Sequence, residues 1–276
     1  MESVAGYFED VGRRAGLQEH VEILGCRVSR TTLAEAVALI EGWILEGSGK
    51  PRYIVATGFH GIWEAYKDPR LQRALNSADL FCPDGIAPVW LSRLQREPLS
   101  HRVPGPDLML AFLSRANATG YSSFFFGDTG ETLAGLRRKV ESEYPRHRVA
   151  GCISPPFRDL TVEEDDQIVD RINAAQADVL WVGLGMPKQE WWILQHRERL
   201  RVPVVAGVGA AFGFLSGRVK RAPQWVGDHG LEWLWRLAAE PRKLWRRDLI
   251  EGPRFMAHAL AECVYSRVRQ KRPPSR

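Results

Sequence analysis

Short apolar runs set between stretches of helical periodicity restrict this chain more than any other feature. SSFFF, Ser122–Phe126, is apolar enough to be a strand covered on both faces, and so is DVLWVGL, residues 178–184. Similar runs at residues 21–28, 53–57, 79–82, 148–153 and 202–208 predict further strands. Between them, residues 32–46, 62–76, 86–94, 106–119, 130–143, 162–175 and 187–198 carry amphipathic patterns that predict helices. Thr31 or Thr32 can cap the first with Glu35 completing a capping box, and Pro69 can break the second. Strands alternating with helices predict a Rossmann-like α/β fold, a mostly parallel sheet with helices on both faces.

After Gly217 the strands stop. The remainder, with Pro223, Pro241 and Pro253 as punctuation, predicts a C-terminal helical appendage, residues 218–276, on an α/β body, residues 1–217. The appendage holds 14 Lys and Arg against 6 Asp and Glu, whereas the body is slightly acidic. It also holds Trp225, Trp233, Trp235 and Trp245. Trp mixed with basic side chains suits an anionic membrane surface, and it suits packing on the body equally. Helical spacing groups Leu231, Leu234, Trp235 and Ala238 as a core-facing stripe, with Arg242, Lys243, Arg246 and Arg247 as the polar face. No nucleic-acid-binding module is recognisable, so nucleic acid is not an expected partner.

Four cysteines, Cys26, Cys82, Cys152 and Cys263, lie far apart without a Cys-x-x-Cys pair, which argues against a disulfide framework or zinc site and for a reducing, cytoplasmic setting. The first residues lack the apolar core of a signal peptide, and no stretch is apolar and long enough to predict a membrane span.

Ligands of an open parallel sheet bind at the carboxyl ends of its strands. Thr57 and His60, then Asp84, then Asp128 and Thr129, then Lys188, Gln189 and Glu190 follow predicted strands there. Asp84, between Pro83 and Gly85, is placed to serve as a general base, although turn chemistry alone favours an Asp-Gly turn with no chemical duty. For Lys188-Gln189-Glu190, a solvated first turn of a helix and a binding turn are equal alternatives on these residues alone. Gly183-Leu184-Gly185 and Gly207-Val208-Gly209 begin a dinucleotide fingerprint, but Lys188 and Phe212 stand where the last Gly belongs. Neither a Walker A sequence nor a Gly-x-Ser-x-Gly elbow is present, and His60, His101 and His196 lack metal-ligand spacing.

Four stretches, in order, carry a resemblance. "ADLFCPDGIAPVW", "HRVPGPDLM", "VGLGMPKQEWW" and "KRAPQWVGDHGLEWLWRLAAEPRKLWRR" resemble motifs of the WecG/TagA/CpsF glycosyltransferases over about residues 21–254. The resemblance implies a metal-independent, inverting transferase without a cofactor. It moves a sugar such as N-acetylmannosamine, its uronic acid or glucose from a UDP-sugar to a polyprenyl-diphosphate-linked sugar. Such enzymes work at the inner face of the cell membrane, in cell-surface polysaccharide synthesis. It further implies that Asp84 is the base, that Thr57 lies near the acceptor and that Arg102 is the motif arginine. Gln189 and Glu190 would hold the donor or an active-site loop, and Arg221, Arg236 and Arg242 would close over the diphosphate. The chain departs from the family's Thr-x-Asn with Thr57-Gly58-Phe59 followed by His60, and from its late Arg-Tyr with Arg247-Asp248. A dinucleotide-dependent oxidoreductase and a non-catalytic membrane-surface scaffold are the alternatives, and a monomer or a homo-oligomer fits equally.

Overall fold

The computed structural model describes residues 19–47, 49–220, 222–223, 226 and 231–270. Six strands, β3 (Arg52–Thr57), β4 (Leu80–Pro83), β5 (Ser122–Gly127), β6 (Arg148–Ile153), β7 (Val179–Gly183) and β8 (Val204–Gly207), form one sheet in the order β4-β3-β8-β7-β5-β6. Every pairing in it is parallel. The predicted Rossmann-like α/β architecture is therefore what forms.

Successive residues of each strand enter opposite layers. Tyr53, Val55, Phe124, Phe126, Leu180 and Val182 pack on one face, and Ile54, Ala56, Phe125, Val179 and Trp181 on the other. The first face is covered by α2 (Phe59–Lys67), α3 (Pro69–Asn76), α7 (Val162–Ala174) and α8 (Lys188–His196). The second is covered by α1 (Leu33–Glu46), α5 (Gly105–Thr119), α6 (Gly130–Glu143) and α9 (Ala211–Leu215). α4 (Ile86–Gln95) joins the first layer through Val89 and Leu91. Thr32 caps α1 in a capping box with Glu35. Asp68 separates α2 from α3 and caps the latter, so the break falls one residue before Pro69.

The predicted single strand over residues 21–28 is a correction. The segment is a hairpin, β1 (His20–Ile23) against β2 (Cys26–Ser29). Leu24 and Gly25 both take positive φ, 48° and 77°, as a two-residue turn of the primed type requires. A leucine at the first of these positions carries no turn signal, and the apolar run hides the reversal.

After Gly217 come α10 (Glu232–Ala239), α11 (Pro241–Trp245), a π-helical segment (Arg246–Glu251) and α12 (Gly252–Gln270). Phe255 and Ala259 of α12 are buried in the same layer as the hairpin and α2. The expected core stripe on α10 is a second correction: Leu231, Leu234 and Trp235 are exposed, and α10 buries none of its residues. The helical spacing is real, but the face turned inward is the one carrying Glu232, Trp233 and Arg236, which line a cleft. Trp225 lies outside the described residues.

Candidate active site

The carboxyl ends of β3, β4, β7 and β8 open into a cleft of about 640 Å³, roofed by residues of α10 through α12. It is large enough for a nucleotide-sized ligand and stands where an open parallel sheet binds its substrates.

Asp84 follows β4 and lines this cleft, half-buried. Its backbone N–H donates to the Thr57 carbonyl at 3.1 Å, which ties the β3 and β4 loops together. That close approach fixes Gly58. A Cβ there would lie 2.1 Å from the Asp84 carbonyl oxygen, so only glycine fits. Desolvation, and then the nearby Glu232 carboxylate, push the Asp84 pKa up to about 6. Arg236, a backbone hydrogen bond from Gly105 and Arg102 pull the other way. Asp84 is thus poised to accept a proton near neutral pH.

Thr57, His60, Arg102, Gln189 and Arg236 line the same cleft. The Thr57 hydroxyl is 3.7 Å from the Met186 sulfur, to which it donates. His60 Nδ1 stands 3.8 Å from Glu64 Oε1, and burial holds the imidazole pKa below its usual range, so the ring is neutral at pH 7. Arg102 donates to Glu232 Oε2 at 2.5 Å. Arg236 lays its guanidinium over the Phe214 ring, 5.3 Å from the centroid, and its buried Nε has no hydrogen-bond partner.

Gln189 and Glu190 divide their work. Gln189 Oε1 accepts from the Gly209 N–H at 3.0 Å, and its Nε2 donates to Glu190 Oε1 at 2.8 Å. The pair therefore braces the β8 turn against the start of α8. Glu190 is fully buried behind Gln189, outside the cleft lining. Its Oε2 has no hydrogen-bond partner, and desolvation raises its pKa to about 7. Lys188 points to solvent beyond the cleft lining, and Trp191 is also exposed, whereas Trp192 packs on Phe126. Asp128 is not part of the lining and pairs with Arg218 at 3.3 Å. Arg242 is exposed on α11 and does not line the cleft, and Arg221 lies outside the described residues.

Three polar lining residues, Glu232, Arg247 and Asp248, were given as site residues neither by strand ends nor by the family's motifs. Glu232 stands four residues before Arg236 on one helical face, which was the available signal. Arg247 and Asp248 lie in the π-helical segment, where Gly252 N–H bonds the Arg247 carbonyl five residues back. The wider turn brings both side chains to the cleft, where Arg247 Nε meets Asp248 Oδ1 at 2.6 Å. Nothing in the local sequence announces that turn.

The parallel sheet, the cleft at its strand ends and a half-buried carboxylate among arginines define a Rossmann-like α/β protein with a charged cleft where such sheets bind their ligands. The chain belongs to the glycosyl transferase WecG/TagA/CpsF family, whose family model matches residues 21–269, and it is a glycosyltransferase. It is 33% identical over 211 residues to an N-acetylglucosaminyldiphosphoundecaprenol N-acetyl-beta-D-mannosaminyltransferase of Bacillus spizizenii, covering 76% of this chain and 79% of that one. The equally named protein of Staphylococcus aureus is 29% identical over 236 residues, 86% of this chain and 90% of the relative.

Proposed function

We propose that this chain transfers a hexose or N-acetylhexosamine, of mannosamine or glucose type, from a UDP-sugar to a polyprenyl-diphosphate-linked saccharide, with inversion at the anomeric carbon. The relatives' names supply the acceptor class and the mannosaminyl group. The observation that carries the reading is the Asp84 carboxyl, held near pKa 6 beside arginines in the cleft.

Asp84 takes the proton of the acceptor hydroxyl. The oxygen so activated attacks the anomeric carbon from the face opposite UDP, the bond to the diphosphate breaks, and UDP leaves. Arg102 and Arg236 are available to meet the negative charge that grows on the diphosphate. Among the described residues, no three His, Cys, Asp or Glu side chains are grouped to hold a metal ion. A panel of UDP-sugars offered with a short-chain polyprenyl-diphosphate-N-acetylglucosamine, scored by UDP release, is the test. Release from one mannosamine- or glucose-type donor, dependent on the acceptor, is the expected result. Acceptor-independent release or none overturns the reading.

The site is also suited to a membrane-borne acceptor. Among the described residues no helix is long and apolar enough to cross a membrane. Leu234 and Trp235 of α10, Trp245 of α11 and Leu249 of the π-helical segment are exposed beside the basic residues of the same region. This arrangement supports peripheral attachment at the inner face of the membrane. Replacing Leu234, Trp235 and Leu249 together by Ser is expected to weaken binding to phosphatidylglycerol vesicles about tenfold or more, read by co-sedimentation. Unchanged partitioning would remove these side chains from the interface.

A further inference from the structure

Of the three carboxylates and three guanidiniums that line the cleft, four bear on the base: Asp84 and Arg102 from the body, Glu232 and Arg236 from α10. Arg102 and Glu232 are joined at 2.5 Å with side chains 21% and 27% exposed, so the pair is partly shielded from water. α10 has no fully buried residue, and among the described residues this ion pair and the stacking of Arg236 on Phe214 tie it to the body. We propose that Glu232 is a positioning residue for transfer: by holding Arg102 in an ion pair within the cleft, it keeps that guanidinium off Asp84 and makes the docking of α10 a condition for a free base. This rests on the reading of Asp84 as the base.

The physical reason is a competition. Asp84 and Glu232 are rival partners for Arg102. An arginine bonded to Asp84 would cover the oxygen that must accept the acceptor's proton and would weaken it as a base. With Glu232 in place, the Arg102 charge is already neutralised, and the Glu232 charge itself disfavours ionisation of Asp84. The other groups facing Asp84 are Arg236 and the Gly105 N–H, which favour its charged form, and the Cys82 thiol on β4, which burial keeps neutral. Among the described residues, the Glu232 carboxylate is the charge that makes Asp84 more basic. A diphosphate entering the cleft would compete for the same guanidinium, so Arg102 would pass from Glu232 to the ligand only once the ligand is seated.

The test uses the full chain and two readouts. One is the pH profile of kcat with KM for both substrates. The other is the titration of the Asp84 carboxyl by carbon NMR in the protein without substrate. In Glu232→Gln, both the acidic limb of kcat and the Asp84 titration are expected to move to lower pH by about half a unit or more. Plateau kcat should fall severalfold, and Glu232→Asp should bring the limb back toward its wild-type position. Arg102→Gln should move the Asp84 titration the opposite way, to higher pH. A loss equal at every pH, with the Asp84 titration unmoved in Glu232→Gln, would make Glu232 only a tether for α10 and overturn the proposal. If Glu232→Gln does not fold, an Asp84 titration unmoved or lowered in Arg102→Gln overturns it as well. The titration needs no turnover, so absence of transfer by the wild-type chain refutes the reading of the site and leaves the coupling of Glu232, Arg102 and Asp84 to be decided on its own.

Discussion

Asp84→Asn is expected to bind UDP-sugar about as well as the wild type while turnover falls roughly a hundredfold or more. The amide has the shape of the carboxyl and keeps an acceptor for the Gly105 N–H, so the β3 and β4 loops should stay as they are. What it cannot do is take a proton. The pH dependence has a definite sign. The base works when deprotonated, so wild-type kcat should fall about tenfold per pH unit below the raised pKa of about 6 and level off above it. In the variant, residual turnover should lose that limb. Calorimetric titration with UDP-sugar and UDP release across pH measure the two parts. Near-normal turnover in Asp84→Asn would remove Asp84 from the role.

A second large effect concerns stability. Glu190 is buried without a partner for Oε2, and its pKa rises from 4.5 in the open chain to about 7 in the fold. Between those values the folded state keeps a proton that the unfolded state has released. Stability therefore falls as pH rises through this window, and the full cost applies above it. The shift corresponds to about 3 kcal/mol. Glu190→Gln retains the acceptor for Gln189 Nε2 and removes the titration. The variant should melt about 5 °C above wild type near pH 8 and within a degree or so of it near pH 4. A difference in Tm that does not change with pH would mean that Glu190 stays ionised at no cost, through a partner the buried site does not reveal.

The sheet and its order of helices were legible because apolar runs and helical spacing recur along the chain, and the runs of the inner strands found buried places, with only Ile153 of the edge strand β6 buried. The hairpin was not, since Leu24 turns the chain without a turn residue. Strand ends pointed to Thr57, His60, Asp84 and Gln189, and the family's motifs to Arg102 and Arg236. All six meet in one cleft. The resemblance offered Gln189 and Glu190 for the donor or an active-site loop; adjacent residues of a helix point in different directions, so Gln189 faces the cleft and Glu190 braces it from behind. Arg247 and Asp248 were beyond reach for another reason, and Glu232 had only its spacing from Arg236 to point to it. Their place depends on how α10 and a π-helical turn settle against the body, and an apolar stripe on α10 pointed the wrong way.

The bare packing of α10 has a consequence for how solvents act on the enzyme. Denaturants act in proportion to the surface an opening exposes, and lifting a helix with no fully buried residue exposes less than unfolding the sheet below it. Urea should therefore be a weaker lever on this helix than on the sheet below. Its grip includes the ion pair of Arg102 and Glu232, and dissolved salt weakens such a grip. Ionic strength is the solvent variable that reaches this roof first.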